Sequence, residues 1–132
     1  MQTRNLPMDL VSFDQFQKLD VRIGTVVKAE VPEWSHWVIK LTADFGTEIG
    51  KKVCFSGVMK FFKPESFVGK QYPFIVNLEP KKIGPDKELS EVMMLMACQG
   101  GEDNNVAPVL FKLAKKVPNA ICFRKYPTLD SL

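Results

Sequence analysis

Tyr72-Pro73-Phe74-Ile75-Val76-Asn77-Leu78 is followed by Glu79-Pro80-Lys81-Lys82-Ile83-Gly84-Pro85-Asp86-Lys87-Glu88-Leu89 and then by Ser90-Glu91-Val92-Met93-Met94. An apolar run rich in β-branched and aromatic residues predicts a strand over 72–78, and a second apolar run over 92–98 predicts its partner. The connection between them is basic and broken by proline and glycine. With side chains alternating along a strand, Asn77 shares a face with Ile75 and points away from Phe74, Val76 and Leu78. An amide placed there, beside a lysine-bearing loop, predicts a contact surface.

The rest of the chain surrounds this pair with more strand. Val21, Ile23, Thr25, Val27, Ala29 and Val31 alternate with Arg22, Gly24, Val26, Lys28 and Glu30, the period of a long strand, and Gly24 within it predicts a bulge or sharp bend. Over 37–45, Trp37, Ile39, Leu41, Ala43 and Phe45 fall on one side and Lys40, Thr42 and Asp44 on the other. A shorter strand, 52–56, ends at Gly57, and a last one spans 108–113. Before the first strand, Ser12 and Gln15 form a capping-box pattern, and Val11 is spaced to pack on Phe16. This predicts a two-turn helix with Phe13, Phe16 and Leu19 on its buried side. Lys63-Pro64-Glu65 predicts one helical turn stopped by Gly69, and Gly100-Gly101-Glu102-Asp103-Asn104-Asn105 reads as a plain loop. The expectation is an all-β chain with short helices: a five-stranded OB-like barrel with an N-terminal helix and a C-terminal extension. Another small β-barrel is the alternative. Residues 1–11 read as an arm and 12–132 as one domain.

Composition bounds the function. With 45% hydrophobic and 25% charged residues, the chain is of globular type. No run of eighteen apolar residues and no signal-peptide pattern occurs in it, so a cytoplasmic, non-membrane protein is expected. Cys54, Cys98 and Cys122 are odd in number and widely spaced, which suits reduced thiols. His36 has no Cys, Asp or Glu at ligand spacing, so neither a metal nor a cofactor is expected. Without clustered carboxylates or a phosphate-binding loop, no enzyme is expected either. The net charge of +3 is unevenly spread: residues 1–50 carry five basic and seven acidic side chains, residues 51–88 eight and four, and residues 89–132 five and four. Positive charge therefore concentrates at Lys51, Lys52, Lys60, Lys63, Lys70, Lys81, Lys82 and Lys87, as a polyanion site would require.

An OB barrel binds polymers across one face, with lysines for phosphates and strand-surface groups for bases. Asn77, Lys81, Lys82, Ser90 and Met93 all lie in or beside one hairpin, and Ser56 ends the neighbouring strand.

Residues 76–84 (Val76-Asn77-Leu78-x-Pro80-x-Lys82-Ile83-Gly84) with Ser90-Glu91-Val92-Met93 resemble the tRNA-binding OB-fold domain family. The segments 13–24, 44–50, 63–65, 68–70 and 117–119 are similar to its other signatures, so the resemblance covers roughly residues 12–121. Pro32-Glu33 ahead of Lys40-Leu41-Thr42-x-Asp44-Phe45-Gly46 brings it nearest to the CsaA-type branch. What the resemblance implies is a non-catalytic homodimer that binds tRNA by backbone and shape, through Asn77, Lys82 and Ser90, with Ser56, Lys81 and Met93 beside them. For the CsaA-type branch it also implies a link to unfolded or exported polypeptide, to which Trp34 and Trp37 offer an apolar patch. Val92 replaces the glycine of the Ser-x-Gly-Met form, which implies a narrower pocket, and Cys54-Phe55-Ser56-Gly57 replaces a polar stretch.

Overall fold

The computed structural model describes residues 9–100 and 105–121. The elements that build the barrel are α1 (Phe13–Gln17), β1 (Val21–Glu30), β2 (Ile39–Asp44), α2 (Gly46–Ile49), β3 (Lys51–Ser56), β4 (Gln71–Ile75) and β7 (Met93–Met94), with a 3-10 turn at Pro64–Ser66. Two small antiparallel ladders stand beside it: β5 (Lys81–Ile83) with β6 (Glu88–Ser90), and β8 (Met96–Ala97) with β9 (Val109–Leu110). The main sheet runs β3-β2-β1-β4-β7, antiparallel throughout. Backbone N–H groups of Glu91 and Val92 donate to the Val53 carbonyl at 2.7 and 3.3 Å, joining β3 to the approach to β7. The sheet is thereby nearly closed into a five-stranded barrel, and few edge groups of the ladder stay unpaired.

Alternation in β2 sends Ile39, Leu41, Ala43 and Phe45 into the barrel, where all four are fully buried with Val26, Phe67, Tyr72 and Phe74. Phe45 and Phe74 meet edge to face with centroids 5.2 Å apart. Trp37, placed inward by the same period, lies before β2 begins and is 58% exposed.

β1 departs from the simple pattern. Its register with β4 is unbroken from Val21 to Thr25, and the bulge falls between Val26 and Lys28. Ahead of the bulge Gly24 and Val26 face the core; the extra residue leaves Val27 exposed and switches the phase, so that Ala29 and Val31 pack inward after it. Gly24 is required for a different reason than a bend: a Cβ there would stand 2.6 Å from Phe45 Cε1. Val21 and Ile23 are buried outside the central cluster. The edge of β1 that β2 does not reach is taken by the returning chain, through Ile23 N–H to the Ile121 carbonyl at 3.0 Å and Ala120 N–H to the Ile23 carbonyl at 2.8 Å.

The capping box of α1 forms as the sequence predicts: Gln15 N–H donates to Ser12 Oγ at 3.1 Å and Ser12 N–H to Gln15 Oε1 at 3.0 Å. Its apolar side is not buried, however. Phe13, Phe16 and Leu19 are 40–46% exposed, and no residue of the helix is buried. The expected last strand shrinks to Val109–Leu110, and the 92–98 run divides into β7 and β8 at Leu95. The C-terminal extension after residue 121, with Cys122, and the first eight residues of the arm lie outside the described residues.

Cys54 is buried in the core, and burial pushes its thiol up to about 11, partly offset by a backbone hydrogen bond with Met94. A thiol-selective maleimide at pH 8 is expected to modify exposed Cys98 in the native protein and to reach Cys54 only after denaturation. Because the folded-state value lies above the ordinary 9.0, this group's contribution to stability is complete below pH 9 and is lost as pH rises toward 11. Denaturant midpoints measured between pH 8 and 11 check the sign.

Candidate nucleic-acid interface

The basic connection is not a loop. Gly84-Pro85-Asp86-Lys87 turns the chain so that Lys81, Lys82 and Ile83 pair with Ser90, Leu89 and Glu88 as a hairpin. The turn chemistry of Gly-Pro-Asp was the signal for it. Gly84 and Lys87 both adopt positive φ, 76° and 53°.

Several contacts fix this hairpin against the barrel. Ser90 Oγ accepts from Phe55 N–H at 3.1 Å, and Glu91 Oε1 accepts from Val53 N–H at 3.1 Å. Glu91 also pairs with Lys52 at 3.6 Å, and Glu88 pairs with Lys40. At the tip, the indole of Trp34 lies so close over Gly84 that a Cβ would sit 2.5 Å from Cζ2. Trp34 also stacks obliquely on Phe55, with centroids 6.1 Å apart. The segment joining β1 to β2 therefore meets the one joining β4 to β7, the two connections that flank the ligand face of OB barrels. Gly84→Ala is expected to lift the hairpin off Trp34, with backbone strain of about 1–2 kcal/mol added to the clash. A red shift of tryptophan emission in the folded protein checks it.

Where the hairpin joins the barrel, a groove of about 550 Å³ opens, lined by Phe55, Leu78, Lys81, Ser90, Val92 and Met93, with Glu79, Ile83 and Glu91 completing it. Of the six residues the sequence puts forward, the structure brings Lys81, Ser90 and Met93 together in this groove. Lys82 is the next residue on the exposed hairpin. Met93 is 54% exposed, whereas its neighbour Met94 is in the core. Val92 is buried and forms part of the groove wall. Lys52 and Lys40 are engaged by carboxylates, but Lys81, Lys82 and Lys87 make no ion pair with an acidic side chain among the described residues.

Asn77 lies past the end of β4, in an exposed bend. Its carbonyl accepts from Asp20 N–H at 2.9 Å and its amide donates to the Lys18 carbonyl at 2.6 Å, so it clasps the turn between α1 and β1. Ser56 is separate from the groove: it ends β3 opposite Ile39, next to Gly57 in the direction of Trp37. Among the described residues, no three His, Cys, Asp or Glu side chains gather as a metal site, and no helix is long and apolar enough to cross a membrane.

A sequence model of the family described as "Putative tRNA binding domain" matches residues 21–120, nearly the whole barrel. The chain belongs to the tRNA-binding domain family. Members of curated function include the methionine–tRNA ligase of Methanothrix thermoacetophila, 39% identical over 109 residues, which are 83% of this chain and 15% of the ligase. The chain thus spans only a small part of the ligases it matches. Among solved structures, a MetRS-related protein from Pyrococcus horikoshii superposes with a TM-score of 0.75 at 31% identity, covering 89% of this chain and all of the other. The chaperone CsaA from Bacillus anthracis gives 0.73 at 32%, covering 88% and 100%. The tRNA-binding domain family and the barrel both agree with the resemblance carried by residues 76–93.

Proposed function

We propose that this chain is a non-catalytic tRNA-binding module, acting as a homodimer, that grips RNA by backbone and shape at the hairpin groove. The observation carrying the proposal is that groove itself, where the Lys81 ammonium, with no carboxylate partner among the described residues, lines the same space as the exposed Met93 thioether and the Ser90 hydroxyl, and Lys82 follows it on the exposed hairpin strand. Lys81 and Lys82 neutralise phosphates. Ser90 accepts from Phe55 N–H, which leaves its own proton to donate to a phosphate or ribose oxygen. Met93, with Phe55 behind it, offers a soft apolar surface to a base or ribose. Asn77 keeps one amide hydrogen and one lone pair for RNA while holding the α1–β1 turn, and Ser56, which lies outside the groove, reaches RNA only where the polymer runs on past Phe55 along β3. Membership of the tRNA-binding family supports the RNA partner; from the ligases the proposal takes only binding. Residues 12–132 form one such domain with 1–11 as its arm, and the partner implies a cytoplasmic setting.

Leu10, Val11, Phe13, Phe16 and Leu19 give one corner of the barrel an exposed apolar patch, with Leu10 99% exposed. In the homodimer this patch is the buried seam. Sedimentation mass near twice the 15.0 kDa chain is expected, and a mass near 15.0 kDa contradicts the dimer. Fluorescence anisotropy of labelled bulk tRNA tests the main reading. Affinity is expected to fall with salt, each phosphate contact adding about 0.7–0.9 to the log–log slope. Absence of binding at low salt contradicts it.

A second reading, polypeptide binding, rests on an apolar groove of about 650 Å³ lined by Trp37, Val58, Phe61, Met96, Val106 and Pro108 among others. Quenching of tryptophan emission by unfolded peptide and not by tRNA would favour it.

A further inference from the structure

A second basic groove lies at the other end of β4 from the hairpin. It has a volume of about 260 Å³ and is lined by Lys70, Lys112, Lys115 and Lys116 with Gly69, Gln71, Tyr72 and Leu113. Among the described residues no acidic side chain lines it and none of the four lysines makes an ion pair. Three of them come from residues 112–116, a segment whose charge is diluted in the sequence by four acids in the same third of the chain.

The cluster is held in place by a clamp. The Gln71 carboxamide takes both backbone groups of Val117: its Nε2 donates to the Val117 carbonyl at 2.6 Å, and its Oε1 accepts from Val117 N–H at 2.9 Å. Two residues on, Asn119 Oδ1 accepts from Thr25 Oγ1 at 2.6 Å. On the opposite wall, Val26 N–H donates to the Lys70 carbonyl at 3.0 Å and Gly69 N–H to the Val26 carbonyl at 2.8 Å. Both basic segments are therefore tied to the β1–β4 pair. Four ammonium groups around one groove repel each other, and a polyanion relieves that repulsion while releasing its own counterions.

From Gln71 to Ile75 the strand alone spans about 13 Å at roughly 3.3 Å per residue, and the hairpin groove lies beyond it. One phosphate cannot serve both grooves. Resting on the tRNA-binding reading, we propose that the Lys70/Lys112/Lys115/Lys116 groove is a second seat for sugar-phosphate backbone, engaging a separate segment of the same folded RNA. A short single strand then fills the hairpin groove alone, and only a folded RNA engages both.

The test is a salt titration of the full chain with bulk tRNA and with an eight-nucleotide oligouridine. Lys112→Gln, Lys115→Gln and Lys116→Gln are made together, against a control removing three exposed lysines that line neither groove, Lys18→Gln, Lys51→Gln and Lys63→Gln. The 112/115/116 variant is expected to lose about tenfold in tRNA affinity at 0.1 M salt and about 2 in log–log slope, at 0.7–0.9 per contact, with oligouridine binding unchanged. A matching unfolding midpoint excludes loss of fold. An unchanged tRNA slope, an equal loss for oligouridine, or an equal loss in the control overturns the second seat while the hairpin reading stands. Failure of the unaltered protein to bind tRNA overturns both.

Discussion

Reversing the charge of Lys81 and Lys82 together (Lys81→Glu, Lys82→Glu) is expected to lower tRNA affinity about 10- to 100-fold at 0.1 M salt, two charge-assisted contacts being lost and replaced by repulsion. Stability is expected to change little. Both side chains are exposed on a hairpin whose attachment runs through Ser90, Glu88, Glu91 and Trp34, none of which is altered. Surface changes of this kind stay within about 0.5 kcal/mol, so the unfolding midpoint should move by only about 2 °C. Unchanged affinity in an anisotropy titration would remove the hairpin from the interface.

Gly24→Ala is expected to destabilise the barrel by about 3 kcal/mol, the upper range for overpacking a filled core. The added methyl would meet three carbons of the Phe45 ring at 2.6 to 3.0 Å, and Phe45 is fully buried against Phe74. Phe45→Leu removes the obstructing edge, so the double variant should lose less than the sum of the two single changes, a coupling measurable in a denaturant double-mutant cycle. Additive losses would mean that Gly24 matters for backbone freedom alone.

The barrel was legible because period-two burial is a strong signal where a strand has one wet face. Ile39, Leu41, Ala43 and Phe45 show it, while the capping box at Ser12 and the proline-led turn at Pro64 are legible from local hydrogen-bonding and backbone chemistry instead. Gly24 serves a close approach to Phe45 and not the bulge or bend that a glycine within a strand predicts. A glycine in a strand serves a bulge or a close approach, and only the position of Phe45 across the barrel separates the two. The bulge itself, at Val27, carries no local mark, since a valine in an alternating run looks like any other.

At the proposed site, the basic connection reads as a loop in the sequence and folds as a hairpin. The Lys81–Ser90 region has the turn residues of a hairpin, but its strands are too short and polar to announce themselves. Asn77 was singled out as an exposed amide, and the structure gives that amide two backbone partners 57 and 59 residues earlier in the chain, a contact invisible to spacing. Ser90 likewise supports Phe55. The grouping of Lys70 with Lys112, Lys115 and Lys116 could not be read from charge runs, because it depends on Gln71 holding Val117.

Backbone amide shifts of the nitrogen-15-labelled protein titrated with tRNA test most directly whether the hairpin groove is the RNA seat. The result expected is perturbation at residues 78–93 and at Phe55, with a second group at residues 69–72 and 112–116 from the proposed second seat, and with the core strand β2 silent. Shifts confined to Trp37, Phe61 and residues 96–108, with 78–93 unmoved, would contradict it.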